Sequence, residues 1–223
     1  MPGNRDYRAQ KILAIFSGIN IRCLLDVGCG DGDFSVAIKK ASKAVDVYGI
    51  EISEEGVNKA NTIGVKAFQV DINQQDFPFD NQAFDGVFCG EIIEHLYDPD
   101  HLLDEVYRVL KPGGICVFTT PNLSSWLNRI VLLLGFQPFA TRVSLRHNVG
   151  KLKQETGVDQ YQHIRVFTFR ALKELLIIHN FSLLKSFGTY NATDYPLFIT
   201  IIANIFSIFP SLSTNVIMIV KKE

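Results

Sequence analysis

Along the first half of the chain, short continuous apolar runs take turns with stretches in which apolar residues recur at helical spacing. Short apolar runs, typical of buried strands, occupy residues 24–27, 45–52, 65–72, 84–89 and 115–121. Between them, the patterns at residues 33–43, 53–61 and 98–110 predict helices. Strands that are apolar almost throughout and separated by helices predict a parallel sheet that is covered by helices on both faces.

The pattern changes after residue 121. Residues 122–165 begin with an apolar, helix-like piece and continue as a polar stretch, which is too long for an ordinary connection and predicts a lid or a disordered loop. We call residues 122–165 the lid segment. Periodicity then resumes with a helix from a Thr168 cap to His179, a strand at 181–188, a helix after Pro196 and a strand at 215–222. The apolar run 196–210 is shorter than the roughly 20 residues of a membrane-spanning helix, so we predict a buried helix there.

Glycines at alternate positions follow the first predicted strand: Gly28, Gly30 and Gly32. A dinucleotide-binding fingerprint would place its third glycine at position 33, which is Asp33 here. Asp31 and Asp33 lie where the N-terminus of the next helix would otherwise attract a pyrophosphate, and they would repel it. The turn therefore favours a ligand without phosphates.

Acidic residues end the next two predicted strands. Glu51 ends the second, where a carboxylate can accept hydrogen bonds from both ribose hydroxyls. Asp71 ends the third and could accept a hydrogen bond from the amine of an adenine. Together with the glycine turn, they predict an adenosine ligand.

Composition narrows the class of protein. The 223 residues, of 25.1 kDa, suit one well-packed domain. The 22 Lys and Arg residues against 23 Asp and Glu provide no overall positive field, so we do not expect a nucleic-acid partner. The N-terminus has no signal-peptide pattern, and the four cysteines lie in or beside apolar runs without paired spacing, which predicts reduced thiols and a cytoplasmic protein.

Five motifs carry a family resemblance: LLDVGCGDG, GIEIS, VDIN, FDGVFCGEIIEHL and LKPGGICVFTTPN. In order and spacing they resemble the class I S-adenosylmethionine-dependent methyltransferases, in particular the branch with the ubiquinone and menaquinone methyltransferases, over about residues 20–122. The resemblance implies one domain over residues 1–223. Its α/β fold would be a Rossmann-like three-layer sandwich around a seven-stranded sheet in the order 3-2-1-4-5-7-6. Strand 7 would be antiparallel, and the lid would follow strand 5.

The same resemblance implies S-adenosylmethionine as the cofactor and a set of residues that bind it. Gly28 and Gly30 would let the main chain approach the methionine part, with Asp26 bracing that turn. Glu51 would take the ribose. The full set of cofactor-binding positions is Asp26, Gly28, Cys29, Gly30, Glu51, Ile52, Asp71, Ile72, Cys89 and Gly90.

Candidate catalytic residues lie near the end of the fourth strand. A hydroxyl acceptor must lose its proton, and histidine is the natural base near neutral pH. His95, in GEIIEHL, is the first candidate for a base or an acceptor-orienting group, and Glu91 is expected to contact the cofactor. His163 is a second candidate base. Packing or capping roles for both histidines remain open.

The E-x-x-E-H pattern also resembles the metal-binding motif of small-RNA 2′-O-methyltransferases. Glu91, Glu94 and His95 would match it, and His147 or His163 would supply the remaining ligand. Metal-free relatives share a similar sequence here, so we predict no metal.

The lid segment provides the hint about substrate. Its apolar residues from Trp126 to Phe139 and its basic residues from Arg142 to Lys153 indicate a helix packed on the core or a wall for an apolar acceptor, with membrane or lipid contact. We expect methyl transfer to a small molecule, at an oxygen of an aromatic, quinone-like, sugar or lipid-linked acceptor, by a monomer or homodimer. The alternatives are a metal-assisted RNA 2′-O-methyltransferase, a non-catalytic S-adenosylmethionine-binding protein and a nicotinamide-dependent reductase.

Overall fold

A single sheet of seven strands organises the protein. The computed structural model describes residues 7–144, 146–152, 163–190 and 197–223. The strand order is β3-β2-β1-β4-β5-β7-β6, and β7 runs antiparallel to both neighbours while β1 to β5 are mutually parallel. This confirms the predicted order and the antiparallel seventh strand. The strands are β1 Cys23–Val27, β2 Asp46–Glu51, β3 Lys66–Gln69, β4 Phe84–Gly90, β5 Leu110–Pro121, β6 Phe181–Thr189 and β7 Asn215–Lys222.

Helices flank this sheet, and local capping explains where several of them begin. Ser53, Asp98 and Thr168 each accept a hydrogen bond from a main-chain N–H of the first helical turn. The caps place the helix starts within a residue or two of the predicted positions. The helices are α1 Tyr7–Ser17, α2 Asp33–Ser42, α3 Glu54–Thr62, α4 Pro99–Val109, α5 Trp126–Leu133, α6 Phe169–Ile178 and α7 Leu197–Phe206, with a 3₁₀ turn at Ile93–His95.

Two buried clusters form the core, one on each face of the sheet. Ile12, Phe16 and Ile38 bring α1 and α2 into the cluster on one face. Leu102 and Leu172 bring α4 and α6 into the cluster on the other. The sheet is therefore the middle of three layers, as the apolar strands predicted.

Two helices differ from expectation. Helix α1 was not predicted; it buries Ala9, Ile12 and Phe16 along one side. Helix α7 lies in the run predicted to be buried, and that prediction is wrong: Ile201 and Ile205 are each 56% exposed. The reason is that α7 packs through one side only, with Ala203 buried there. Among the described residues, no helix is long and apolar enough to cross a membrane.

Candidate active site

The turn after β1 leaves open space at the carboxyl edge of the sheet. Gly28 and Gly30 have left-handed φ angles of 79° and 55°. A Cβ on Gly28 would lie 3.1 Å from Ile92 Cδ1, whereas a Cβ on Gly30 would meet nothing within 4 Å. A Cβ on Gly32 would lie 2.9 Å from Ala60 Cβ, so this third glycine serves the packing of α2 on α3. Of the three glycines in this turn, only Gly30 therefore leaves free space beside its main chain.

Glu51 connects the end of β2 to this turn. Its Oε2 accepts a hydrogen bond from Gly30 N at 3.0 Å, and its Oε1 accepts one from Ser53 N at 3.0 Å. Each carboxylate oxygen retains a further acceptor position, so the group can still receive two ribose hydroxyls. Beside it, the side chain of Ile52 is 59% exposed and available to an apolar ring. This arrangement agrees with the expected adenosine site.

The two residues expected at the adenine, Asp71 and Ile72, lie in the loop after β3. Val70 N donates to Glu51 O at 2.9 Å, which places the start of this loop against the end of β2. The Asp71 carboxylate accepts hydrogen bonds from Asn73 N and from the Gln74 side chain. The Ile72 side chain is buried in the core, so Ile72 can face a ligand only through its main chain.

The structure does not place the thiols of Cys29 and Cys89 at the site. The Cys29 side chain turns inward against Gly49, and burial raises the pKa of its thiol to about 12. Cys89 is fully buried, with its Sγ 3.9 Å from Cys116 Sγ. Both segments can therefore contact a cofactor only through their main chain at these two positions, and the binding role of Cys29 and Cys89 stays a prediction.

Asp26 braces the turn from beneath. It is buried, and its Oδ2 accepts a hydrogen bond of 2.5 Å from Ser35 Oγ at the start of α2. Burial raises the pKa of this carboxyl to about 7. The hydrogen bond fastens β1 to α2 across the glycine turn, which agrees with the bracing role expected for Asp26.

A cavity opens where α1 crosses the ends of β4 and β5. Lys11 Nζ donates to Gly188 O at 3.2 Å, and the rings of Tyr7 and Tyr190 stack at 5.1 Å, so the carboxyl end of β6 holds α1 in place. The helix thereby forms one wall of the cavity. The lining residues are Arg8, Ala9, Ile12, Phe34, Phe88, Gly90, Glu91 and Thr119.

Glu91 is held inside this cavity by an unusual main chain. Its φ of 52° is left-handed, a conformation that strains a residue other than glycine and is concentrated at functional sites. The carboxylate accepts hydrogen bonds from Thr119 Oγ1 at 2.9 Å and from Asn215 Nδ2 at 3.3 Å. It also pairs with Arg8 Nη1 at 2.6 Å. Arg8 is therefore a site residue that sequence reasoning missed.

A second group of titratable side chains adjoins Glu91. Glu94, His95 and His163 each offer a ligand atom, and these atoms lie within 4.8 Å of one another. The Glu94 carbonyl accepts hydrogen bonds from Ile164 N at 2.8 Å and Arg165 N at 3.0 Å, which fixes the end of the lid segment against the 3₁₀ turn. The two predicted histidines, 68 positions apart, are brought together in this way. We call Glu94, His95 and His163 the acid–base cluster.

Glu94 is the most perturbed member of the cluster. It is fully buried; its Oε2 accepts a hydrogen bond from Thr120 Oγ1 at 3.0 Å, and its Oε1 has no hydrogen-bond partner among the residues that the structure describes. Burial and then the negative charge of Glu91 raise its pKa to about 8. Perturbed carboxyls of this kind are concentrated at functional sites.

His163 has a defined tautomer in the neutral state. Its Nδ1 lies 3.0 Å from Ala140 O, and because a carbonyl can only accept, Nδ1 carries the proton. Nε2 is then the nitrogen that can accept a proton or bind a cation. Glu91 and His147, two of the metal ligands considered from the sequence, do not belong to this group of the described residues.

Comparison with known proteins supplies the family. A family profile described as "Methyltransferase domain" matches residues 3–186. The chain belongs to this family. A ubiquinone biosynthesis O-methyltransferase of Psychrobacter arcticus is 35% identical to the methyltransferase domain over 112 residues, which are 47% of this chain and 43% of that enzyme. The chain thus matches less than half the length of this relative.

Two longer matches support the same family and fold. A "probable S-adenosylmethionine-dependent methyltransferase" of Mycolicibacterium smegmatis is 28% identical over 209 residues, covering 88% of this chain and 77% of that protein. A solved S-adenosylmethionine-dependent methyltransferase from Thermotoga maritima shares the fold, with a TM-score of 0.64, 21% identity and coverage of 96% and 89%. The methyltransferase domain is of the class I, S-adenosylmethionine-dependent type, and S-adenosylmethionine is its cofactor. The space at Gly30 and the carboxylate of Glu51 fit that cofactor.

Proposed function

We propose that the methyltransferase domain transfers a methyl group from S-adenosylmethionine to an oxygen of a small acceptor molecule. The observation that carries the proposal is the acid–base cluster, in which two histidines lie against a buried carboxyl whose pKa is raised by the charge of Glu91, a residue of the cavity wall. Methylation of a hydroxyl requires a group that removes its proton, and this cluster is suited to that task. The curated relatives named as O-methyltransferases support the same atom type.

The residues around the glycine turn would hold the cofactor. Glu51 accepts the ribose hydroxyls, Ile52 and the loop at Asp71 contact the adenine, and Gly28 and Gly30 admit the methionine part. When bound, S-adenosylmethionine supplies a methyl group already activated on a positively charged sulfur. Glu91 and Arg8 line the cavity at that end, and Arg8 is a cation suited to a carboxylate such as that of the methionine part.

Acceptor activation falls to the cluster. His95 or Nε2 of His163 accepts the hydroxyl proton, and the resulting imidazolium lies beside the Glu94 carboxyl. A neighbouring carboxylate favours the charged form of histidine. Because burial raises the pKa of Glu94 to about 8, Glu94 supplies that negative charge, and so stabilises the imidazolium, only above about that pH. The cavity walls hold the acceptor and exclude water, which contributes to the rate by orientation.

The same cluster offers a second way to activate the acceptor. Glu94 Oε1 accepts no hydrogen bond within the described part of the chain, and with His95 and His163 it provides oxygen and nitrogen ligands that suit a divalent cation. A cation there would lower the pKa of a bound hydroxyl. Turnover with and without a chelator separates the two versions: loss with EDTA and rescue by Mg²⁺ or Zn²⁺ favours the metal-assisted one.

Thermal shift measurements test the cofactor. S-adenosylhomocysteine at about 100 times its dissociation constant should stabilise the protein by about 2.7 kcal/mol, whereas NAD should leave the melting temperature unchanged. A shift with NAD and none with S-adenosylhomocysteine would contradict the proposal and support a reductase.

Product formation tests the acceptor and its base. Quinols, catechols, sugars and lipid-linked alcohols are screened for release of S-adenosylhomocysteine, and the best acceptor is used with the variants. His95→Ala should lower kcat about 10²- to 10⁴-fold with unchanged cofactor affinity. The matched control is His147→Ala, an exposed histidine of the lid segment, which should retain activity. Equal activity of both variants would remove His95 from the mechanism.

A further inference from the structure

Helices α5 and α7 expose apolar side chains at the same end of the sheet. Four of these, together with Leu134 and Ile208 just beyond the helix ends, are each more than half exposed, and we call the six the apolar face: Leu132, Leu133, Leu134, Ile201, Ile205 and Ile208. Trp126 of α5 stacks on Phe206 of α7 with ring centroids 5.3 Å apart, so the two helices are in direct contact. Monomeric soluble proteins rarely expose an apolar surface contributed by adjoining elements unless it binds something.

Charge is distributed unevenly along the chain, and the two segments that carry this surface contain no acidic residue. Residues 122–152 contain Arg129, Arg142, Arg146 and Lys151 and no Asp or Glu. Residues 197–215 contain no charged residue at all. The chain as a whole has a net charge of −1, so its acidic residues are segregated away from these two segments. An apolar surface carried by segments whose only charged residues are basic complements an anionic lipid headgroup layer over an apolar interior.

We propose that the apolar face docks on the surface of an anionic phospholipid bilayer. Helices α5 and α7 have 8 and 10 residues, which suits insertion into the interface rather than passage through it. A second copy of this chain is a poorer occupant. A symmetric pair would bring the same basic segment of each copy together, and like charges would repel.

The docked orientation would bring the acid–base cluster close to the membrane. Phe139 N donates to Asn128 Oδ1 of α5 at 2.9 Å, and Ala140 O accepts from His163 Nδ1 at 3.0 Å. The segment between α5 and the cluster thus contacts both. If the proposed O-methylation is right, an acceptor with a lipid anchor could reach the cluster from the bilayer; the docking itself does not depend on that reaction.

Vesicle flotation tests the docking with the full chain. The protein should float with phosphatidylcholine vesicles that contain phosphatidylglycerol. The floating fraction should be smaller with vesicles of phosphatidylcholine alone, and high salt should reduce flotation with the anionic vesicles. Leu133→Ser and Ile205→Ser should each weaken binding about tenfold, because each removes an apolar side chain from the interface. The matched control is Ile178→Ser on α6, where the side chain is 72% exposed but lies outside the apolar face.

Three results would overturn the proposal. They are absence of flotation, equal loss with Ile178→Ser, and a concentration-dependent dimer that Leu133→Ser converts to a monomer, which would assign the face to a second copy. Each variant is first checked for an unchanged melting temperature and an unchanged shift with S-adenosylhomocysteine. That shift also separates failure of docking from failure of the proposed function, since the two are measured independently.

Discussion

The carboxyl ends of β1, β2 and β4 sit on a core buried on both faces of the sheet, whereas α5 and α7 present much of their apolar surface to solvent. The first region must hold one fixed cofactor, so its turns, carboxylates and packing are tightly constrained. In our proposal the second region docks on a bilayer surface, and its exposed apolar side chains are available for contact outside the fold. Apolar residues therefore stabilise the protein in one region and remain available for binding in the other.

Leucine truncation should show the largest difference between the two regions. Leu103 of α4 is fully buried, so Leu103→Ala should lower the free energy of unfolding by about 2–5 kcal/mol through lost burial and a cavity. Leu133 of α5 is 87% exposed, and Leu133→Ala should change it by less than about 0.5 kcal/mol. Urea unfolding of both variants measures this. Similar costs would mean that α5 is covered by other parts of the chain.

Glycine substitution sharpens the comparison within the constrained region. Gly30 and Gly64 both have left-handed φ angles, and a Cβ on either would meet nothing within 4 Å. Alanine at each position should therefore cost a similar backbone strain of about 1 kcal/mol. Gly30→Ala should in addition weaken S-adenosylhomocysteine binding about tenfold or more, because its Cβ fills the space next to Glu51.

Calorimetric titration of both glycine variants decides the point. Gly64→Ala, at the end of α3, should bind S-adenosylhomocysteine like the wild-type protein. If Gly30→Ala also binds normally, the space beside Gly30 does not admit the cofactor.

Much of the constrained region could be predicted from the sequence because its signals are local. The strands, the Ser53 and Thr168 caps and the glycine turn are each encoded within a few residues, and the structure confirms them. The family resemblance added the strand order, which local periodicity does not specify. Cys29 and Cys89 show the limit of this approach: being in the right segment does not determine whether a side chain or its main chain faces the site.

Contacts between distant segments could not be predicted in the same way. Arg8 reaches Glu91 across more than 80 positions, and its only sequence signal was the amphipathic pattern of α1. Glu94 was considered as a metal ligand and not as a titrating acid, although burial raises its pKa to about 8. The exposure of α7 was missed because an apolar composition does not say whether another element covers the helix.

A half-buried histidine at the end of α6 provides the smallest test. His179 contacts two carboxylates of α4, Asp104 through Nδ1 and Asp100 through Nε2, both at 2.8 Å. Burial alone would lower the pKa of His179, but its hydrogen bonds to Asp100 and Asp104 outweigh burial and raise it above the ordinary value. The protonated histidine therefore fastens the end of α6 to α4.

The raised pKa fixes the sign of the pH dependence. The stabilisation is fully present below about pH 6.5, the pKa of an unfolded histidine, and is lost as the pH rises through the higher folded value. His179→Gln should therefore lower the free energy of unfolding by up to about 1 kcal/mol at acidic pH and by much less at alkaline pH, since both carboxylates are exposed and screened. His147→Gln, on the exposed lid segment, should show no such pH-dependent difference. Urea unfolding from acidic to alkaline pH measures both variants. If the free energy of unfolding lost in His179→Gln grew as the pH rose, the histidine would stabilise the fold in its neutral form, and the proposed link between α6 and α4 through a protonated His179 would be wrong.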